Sequence, residues 1–259
     1  MARRLIAGDP RQERATQQRL TSRIANAQAR AIQRAIRNAM NGAADRFGDE
    51  GFLAVDQVVN EQRPAIERTV RGMYSAAWDT LGGRILRAAK SVHGAAWVRK
   101  QDPDDEHAEA LRQFIAQYAA SRVDMVQGTT TDQIRRIIQN AQEAGEGVEG
   151  VAKRIRESSS SMSQVRSQVI ARTEVHNAGQ AAQDSAARAG GAAQRKEWFA
   201  SLDDRTRDDR YSHVDADGEI VGMNETFEQT GESMRYPGDP RGSSGNVIMC
   251  RCGVGYFVD

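Results

Sequence analysis

Apolar residues recur three or four positions apart through most of the first 190 residues, which is the spacing of one face of an α-helix. The first such run opens with Asp9-Pro10-Arg11-Gln12, where an N-cap residue, a proline at N1 and a glutamine at N3 favour a helix start. It ends at Gly42 and Phe47-Gly48, which predicts a helix of about 30 residues and about 45 Å. Because its apolar row is narrow, we expect this helix to become ordered on a partner surface. The row consists of Leu20, Ile24, Ile32, Ile36 and Met40.

Further helices are predicted downstream of this one. Pro64 is compatible only with the first turn or a kink of a helix. Asp102-Pro103-Asp104-Asp105 is a second helix start, and Gly128 is the predicted end of the helix that follows it. Ser158-Ser159-Ser160-Ser161 indicates a linker, with a helix-capping loop as the alternative. A last long helix is predicted over about residues 163–189.

The composition changes near the C-terminus. Seven of the fourteen aromatic residues lie in the last 62 residues, among many glycines and aspartates. Residues 196–200 are a strand candidate, Asp217-Gly218 is a tight-turn signal, and alternating apolar residues over 247–258 predict the clearest strand of the chain. The predicted fold class is α+β, with an elongated, mostly helical N-terminal half followed by a compact C-terminal module of helix and small β-sheet. The predicted division falls between residues 1–128 and 129–259.

Charge is unevenly distributed although the whole chain carries only +1. Residues 1–46 carry a net charge of +7, and residues 198–259 carry −6. The arginines of the basic segment are suited to DNA phosphates, to an acidic protein surface, or simply to a solvated helix face. The candidate contacts are Arg23, Arg30, Arg34 and Arg37.

Several protein classes are disfavoured by composition. No apolar run approaches the roughly 18 residues of a membrane span. The first residues lack the apolar core of a secretory signal peptide, so none is expected. Two cysteines do not form a disulfide scaffold and fit a reducing compartment.

Arg172 and Glu174 lie two positions apart in the last predicted helix, so they point to different faces. Each must find its partner outside its own helical turn. A buried Glu174 is expected to pair with Arg205 or Arg207 and so to connect the helix to the following loop. A catalytic carboxylate is the alternative.

Aspartates crowd the segment that precedes the predicted hairpin turn. A hard cation needs several converging oxygens at about 2.3–2.6 Å, but the spacing here is not that of an EF-hand. We therefore favour a solvated loop with local arginine pairing. The aspartates are Asp203, Asp204, Asp208, Asp209, Asp215 and Asp217.

His213, Cys250 and Cys252 are the one combination of soft metal ligands in the sequence. Residues two apart on a strand are about 6.5 Å apart, so a disulfide between the cysteines requires a bend and a shared metal is easier. Three ligands leave a structural zinc one short. The favoured interpretation is packed free thiols beside a histidine, without metal or cofactor, and zinc is the alternative.

Three stretches in this order resemble the phage Mu F-like minor head proteins, also called phage head morphogenesis proteins. They are Ile170-Ala171-Arg172-Thr173-Glu174-Val175, then Trp198 to Arg207 with Ser212-His213 and Asp217-Gly218, then Tyr236 to Pro240 with Cys250-Arg251-Cys252. The resemblance covers about residues 125–258, including the helix pair from Thr131 to Ile155. The residues that carry it are Arg172, Thr173, Glu174, Trp198, Asp203, Arg205, Arg207, His213, Gly218, Cys250, Arg251 and Cys252.

The resemblance implies a non-enzymatic minor protein of a tailed-phage head, made in the host cytoplasm and present in several copies around the portal. Its implied partners are the portal protein, with major capsid or scaffold proteins and packaged double-stranded DNA as further partners, and no membrane. The alternative is a metal-dependent or ADP-ribosyltransferase-like enzyme built on the same module.

This chain departs from many relatives at two places. They carry a Cys-x-x-Cys after the Arg-Thr segment, where this chain has Arg207-Asp208-Asp209-Arg210. They also carry a histidine just before the Cys-Arg-Cys, where this chain has Ser243-Ser244-Gly245-Asn246. These departures argue against a structural zinc in this chain.

Overall fold

The computed structural model describes residues 3–258, which fall into two compact units. Unit 1 comprises the chain through Ala25, then Met73–Ile115 and Arg172 onwards, and unit 2 comprises Asn26–Gly72 and Ala116–Ala171. The division at residues 128 and 129 concerns the extent of a family module and stays a prediction.

Helices make up most of the described chain, and four short strands complete it, so the predicted α+β class is confirmed. The α-helices are α1 (Pro10–Glu50), α2 (Phe52–Glu61), α3 (Arg63–Ala77), α4 (Gly83–Gln101), α5 (Pro103–Glu143), α6 (Val148–Arg188) and α7 (Ser244–Val247). A π-helical turn (Trp78–Gly82) separates α3 from α4, and a 3-10 turn (Ala189–Gly191) follows α6. The strands are β1 (Arg3–Arg4), β2 (Arg195–Phe199), β3 (Ile220–Gly222) and β4 (Gly253–Val258).

The four strands form one antiparallel sheet in unit 1, in the order β1-β4-β2-β3. The sheet is not confined to the C-terminal half as expected, because β1 pairs with β4 and the Leu5 amide donates to the Tyr256 carbonyl at 2.7 Å. Gly255 of β4 lies directly over the ring of Phe199, where a β-carbon would collide with the ring. The N-terminus of the chain is therefore part of the same sheet as its C-terminus.

Unit 2 is helical, and its core includes most of the apolar row predicted on α1. Ile32, Ile36 and Met40 are buried, and Gly42 approaches α2 so closely that a β-carbon there would lie 3.1 Å from Cγ1 of Val58. In unit 1, Ile24 is also buried. The expectation that this row needs a partner protein is wrong, because the chain's own side chains cover it.

Two predicted helix boundaries are absent from the structure. Helix α5 continues through Gly128, and α6 continues through the four serines at 158–161, so the linker prediction is wrong. The serine hydroxyls bond within the helix: Ser159 Oγ donates to the Arg156 carbonyl at 2.8 Å, and Ser163 Oγ to Ser160 at 3.1 Å. Back-bonding of this kind removes the need for a loop to satisfy the hydroxyls.

The predicted strand 247–258 is shorter than expected. Its first half forms the short helix α7 and a turn in which Met249 has a φ of 59°, and only Gly253–Val258 pairs as β4. Cys250 and Cys252 therefore lie in the turn before the strand and not on one strand face. No helix within residues 3–258 has the length and hydropathy required to span a membrane.

Candidate functional site

The three resembling stretches meet in unit 1, where α6, the loop after β2 and the turn before β4 contact one another. The Met249 amide donates to Oγ1 of Thr173 on α6 at 3.2 Å. From the loop, the Arg207 guanidinium donates to the Ile248 carbonyl, and Asp203 pairs with Arg251. Segments that are far apart in sequence thus hold the turn before β4 in place.

Trp198 and Gly218 organise the loop. The Trp198 ring is fully buried and lies edge-on to His213 and to Phe227, with both centroid distances 5.3 Å. Gly218, with a φ of 82°, donates its amide to the Trp198 carbonyl at 2.9 Å. The positive φ suits glycine, and the predicted tight turn at Asp217-Gly218 therefore fixes the loop against β2.

Glu174 is buried as expected, but its partner is not the expected one. The Tyr74 hydroxyl donates to Oε2 of Glu174 at 2.7 Å. Within residues 3–258 no ion pair joins Glu174 to Arg205 or Arg207, since the Arg207 guanidinium is directed to the Ile248 carbonyl. Glu174 therefore connects α6 to α3 instead of connecting α6 to the loop.

The predicted aspartate-rich loop uses its carboxylates mainly to cap backbone amides. Asp203 accepts from the Arg205 amide at 3.0 Å, Asp209 from the Tyr211 amide at 2.8 Å, and Asp217 from the Ala200 amide at 2.8 Å. The hydrogen bond from Arg251 is the main reason that the pKa of Asp203 lies below its ordinary value.

His213, Cys250 and Cys252 are brought together. Their ligand atoms lie within 4.8 Å of one another, and they are the only such group of histidine, cysteine or acidic side chains among the described residues 3–258. Nδ1 of His213 lies 3.7 Å from Sγ of Cys250 and 3.3 Å from Sγ of Cys252. All three side chains are at most 5% exposed, and both cysteines are free thiols.

The tautomer of His213 is set by Asn246. The Asn246 amide nitrogen donates to the Thr230 carbonyl at 3.3 Å and to Oε2 of Glu232 at 3.0 Å. Its oxygen therefore faces Nε2 of His213, 2.6 Å away, and accepts the Nε2 proton. Nδ1 is then left with a lone pair that points at the two sulfur atoms.

The cluster perturbs the acid–base properties of its own members. Burial alone opposes ionisation of Cys250, but its contacts with Cys252, His176 and His213 outweigh burial and hold the pKa of this thiol well below its ordinary value. Burial and the neighbouring Cys250 raise the pKa of Cys252 well above it. Burial disfavours a charged His213, yet its contacts with Cys250 raise the pKa of the imidazole. Of the two thiols, Cys250 is therefore the more acidic.

The sequence prediction missed His176, which lines the same cavity as the two cysteines. His176 lies on α6 one helical turn after Thr173, is 5% exposed and has an Nε2 atom with no hydrogen-bond partner. Gly238, with a φ of 76°, lies so close behind the ring that a β-carbon would be 2.9 Å from Cδ2 of His176. The spacing from Thr173, which also contacts the cysteine turn, is the signal that identifies it.

A cavity of about 300 Å³ opens beside the thiols. His176, Cys250 and Cys252 form part of its wall, and exposed arginines Arg172 and Arg205 line it as well. The thiols are therefore reachable by a small solute although they are buried.

The predicted arginine contacts on α1 lie apart from the thiol cluster in the sequence and are exposed. Arg30, Arg34 and Arg37 of unit 2 and Arg23 of unit 1 are all exposed, and no carboxylate among residues 3–258 pairs with any of them. In unit 2, Arg34 and Arg68 line a groove of about 330 Å³ between α1 and α3. This groove has the charge that an anionic partner requires.

Comparisons with known proteins agree with the arrangement of these stretches. Residues 132–255 match the family described as Phage Mu protein F like protein. "Uncharacterized protein YqbB" of Bacillus subtilis (strain 168) is 25% identical over 148 residues, which are 56% of this chain and 48% of that protein. The chain thus aligns with about half the length of this relative. No solved structure matches the chain.

The Arg-Thr-Glu, Asp/Arg and Cys-Arg-Cys stretches that converge in unit 1 all lie within the matched residues. The resemblance to the phage Mu protein F like family that the sequence predicts is confirmed over residues 132–255, which are just under half of the chain. The match includes the aspartate loop, His213 and both cysteines.

Proposed function

We propose that the protein is a non-enzymatic minor head protein that associates with the portal of a tailed phage during head assembly. The observation that carries the proposal is the family match over residues 132–255, which includes His176, His213, Cys250 and Cys252. The site of action is then the virion head, after synthesis in the host cytoplasm.

A structural role is supported by how the motif residues are used. The Thr173 hydroxyl accepts a hydrogen bond from the Met249 amide, and Glu174 is 7% exposed and accepts a hydrogen bond from the Tyr74 hydroxyl. An enzymatic carboxylate has to reach a substrate. The geometry therefore favours a part in holding the fold over the metal-dependent or ADP-ribosyltransferase-like alternative.

The partner surface that the charges favour is the exposed arginine face of α1. Arg30, Arg34 and Arg37 are spaced four and three residues apart, so they share one face of the helix. Free guanidinium groups of this kind bind carboxylates of an acidic protein surface and phosphates equally well. We propose that this face binds the portal protein, and packaged DNA is the alternative partner.

The experiment is co-purification with the portal protein from the same genome. The wild-type chain and a variant with Arg30→Gln, Arg34→Gln and Arg37→Gln are each expressed with the portal. The variant is expected to lose the portal, whereas a control variant at the exposed Arg136 and Lys153 retains it. Portal capture that is equal in all three proteins contradicts the assignment of the arginine face, and absence of capture by the wild type contradicts portal association.

DNA binding is tested on the same variants. If the face binds DNA, the logarithm of affinity falls with the logarithm of salt concentration, and removing three phosphate contacts flattens that slope by about 2.7. If the protein binds DNA in a salt-dependent way and only the arginine variant loses this binding, DNA and not the portal is the partner of this face. The alternative of an ADP-ribosyltransferase-like enzyme is tested separately by assaying turnover of a nicotinamide dinucleotide.

A further inference from the structure

We propose that His176, His213, Cys250 and Cys252 form a structural zinc site, with His176 as the fourth ligand. The proposal goes beyond a role in head assembly and does not depend on it. The fourth ligand comes from helix α6, whereas the other three come from the loop after β2 and the turn before β4.

The distances within the cluster match those of a metal site. Zinc bonds of about 2.3 Å to sulfur and 2.0–2.1 Å to nitrogen place sulfur and nitrogen about 3.6 Å apart across a tetrahedron. The two distances from His213 Nδ1 to the sulfur atoms are 3.7 and 3.3 Å. A central ion therefore fits among these three atoms with little movement.

The hydrogen bond from His213 to Asn246 is the second observation. Histidines that bind zinc usually donate their other ring nitrogen to an oxygen acceptor, which fixes the tautomer and the ring orientation. Here Nε2 donates to Asn246 Oδ1 at 2.6 Å, and Asn246 is held in turn by Thr230 and Glu232. The Nδ1 lone pair is thus preset toward the sulfur atoms.

His176 completes the set of two nitrogen and two sulfur ligands that structural zinc prefers. Its Nε2 is buried without a hydrogen-bond partner, which is costly unless another group engages it. It shares the cavity wall with Cys250 and Cys252, and its ring lies farther from the other ligands than they lie from one another. A rotation about its side-chain torsions closes the site.

The cavity beside the thiols also provides the entry path that a bound ion requires. Binding releases the remaining thiol protons, because zinc coordinates the thiolate form of both cysteines.

The test is metal titration of the full chain, purified with a reductant and stripped with a chelator. We expect one equivalent of Zn²⁺ to bind with an increase in melting temperature. Co²⁺ in its place is expected to give the intense visible absorption of a tetrahedral site and a thiolate-to-metal charge-transfer band. A folded wild-type chain that takes up no zinc, with the same melting temperature before and after stripping, overturns the proposal.

Two variants and a matched control isolate His176. His176→Gln is expected to weaken zinc binding about tenfold or more. His176→Cys is expected to retain zinc in a Cys3His site, with charge-transfer absorption about 1.5-fold higher because three thiolates replace two. His107→Gln is the control, because His107 also has a buried Nε2 without a partner but no neighbouring thiol pair.

The outcomes for the fourth ligand are distinct. Zinc affinity unchanged in His176→Gln, or a charge-transfer band unchanged in His176→Cys, refutes His176 as a ligand. If His176→Gln does not fold, the charge-transfer band of His176→Cys alone decides whether residue 176 is a ligand. A residue that only packs against the site would not add a third thiolate to the metal.

Discussion

Replacing Tyr74 by phenylalanine tests whether Glu174 stabilises the fold through α3. Tyr74 is 1% exposed and its hydroxyl donates to Oε2 of Glu174 at 2.7 Å. Phenylalanine keeps the ring that packs on Phe114 with a centroid distance of 5.0 Å, and removes only the donor. A hydrogen bond to a charged group contributes about 1.5–3 kcal/mol, and a buried carboxylate that loses its donor remains desolvated.

The expected loss of 1.5–3 kcal/mol corresponds to a melting temperature lower by about 3–12 °C for a chain of this size. Near-ultraviolet circular dichroism reports the melting of unit 1, which contains both residues. Tyr211→Phe is the control, because this half-buried hydroxyl accepts a bond from Ser243 near the surface, and its loss should cost less than about 1 kcal/mol.

A double-mutant cycle with Glu174→Gln isolates the pair. The glutamine still accepts from Tyr74 but carries no charge, so Tyr74→Phe should cost only about 0.5–1.5 kcal/mol in that background. Equal costs in both backgrounds, or a melting temperature of Tyr74→Phe within error of the wild type, refute the stabilising role of this contact. A phenotype in assembled particles at unchanged stability returns Glu174 to the catalytic alternative.

Three further predictions follow from unit 1. Burial lowers the pKa of Lys196 to about 8, against the opposing charge of Asp184, so the unfolded chain binds more protons between pH 8 and 10.5 and the free energy of unfolding rises with pH in that window. Equilibrium unfolding at pH 8 and at pH 10.5 should show a rise of about 3 kcal/mol in the free energy of unfolding, and Lys196→Met should abolish this rise. A free energy of unfolding that does not change with pH in the wild type contradicts the prediction. Deleting residues 1–8 removes β1 and should speed amide hydrogen exchange at Tyr256 in β4. An unchanged exchange rate excludes the pairing of β1 with β4. Asn246→Ala should weaken zinc binding about 10–100-fold without removing a ligand, measured by competition with a chelator.

The helix starts and the secondary-structure classes could be predicted because they depend on local chemistry. The Asp9 side chain accepts from the Arg11 amide at 2.9 Å, as the N-cap signal required, and Pro64 lies in the first turn of α3. The strand candidate near Trp198 is confirmed by β2, which ends one residue earlier than predicted.

Helix ends and partners were less predictable because they depend on contacts distant in sequence. Gly128 and the serine run at 158–161 are weak stop signals, and neither interrupts the helix in which it lies. The narrow apolar row on α1 indicated a missing surface, but nothing in the sequence could show that the same chain supplies it. Glu174 required a buried partner, and a tyrosine 100 residues upstream was not distinguishable from the nearby arginines by spacing.

The thiol cluster lies in a segment with little regular secondary structure. Between β2 and β4 the chain has only the three residues of β3 and the single turn of α7 as regular structure. Few backbone hydrogen bonds of regular secondary structure therefore stabilise this segment, and its order depends on contacts between side chains. Cys250 and Cys252 are free thiols in the turn that Thr173 holds against α6. A metal shared with His213 and His176 joins the loop, the turn and α6 at one point, and such an ion contributes its binding free energy directly to folding. A zinc site that includes a helix residue stabilises this segment more than one confined to the loop and the turn, because its ligands then come from three places: α6, the loop after β2 and the turn before β4.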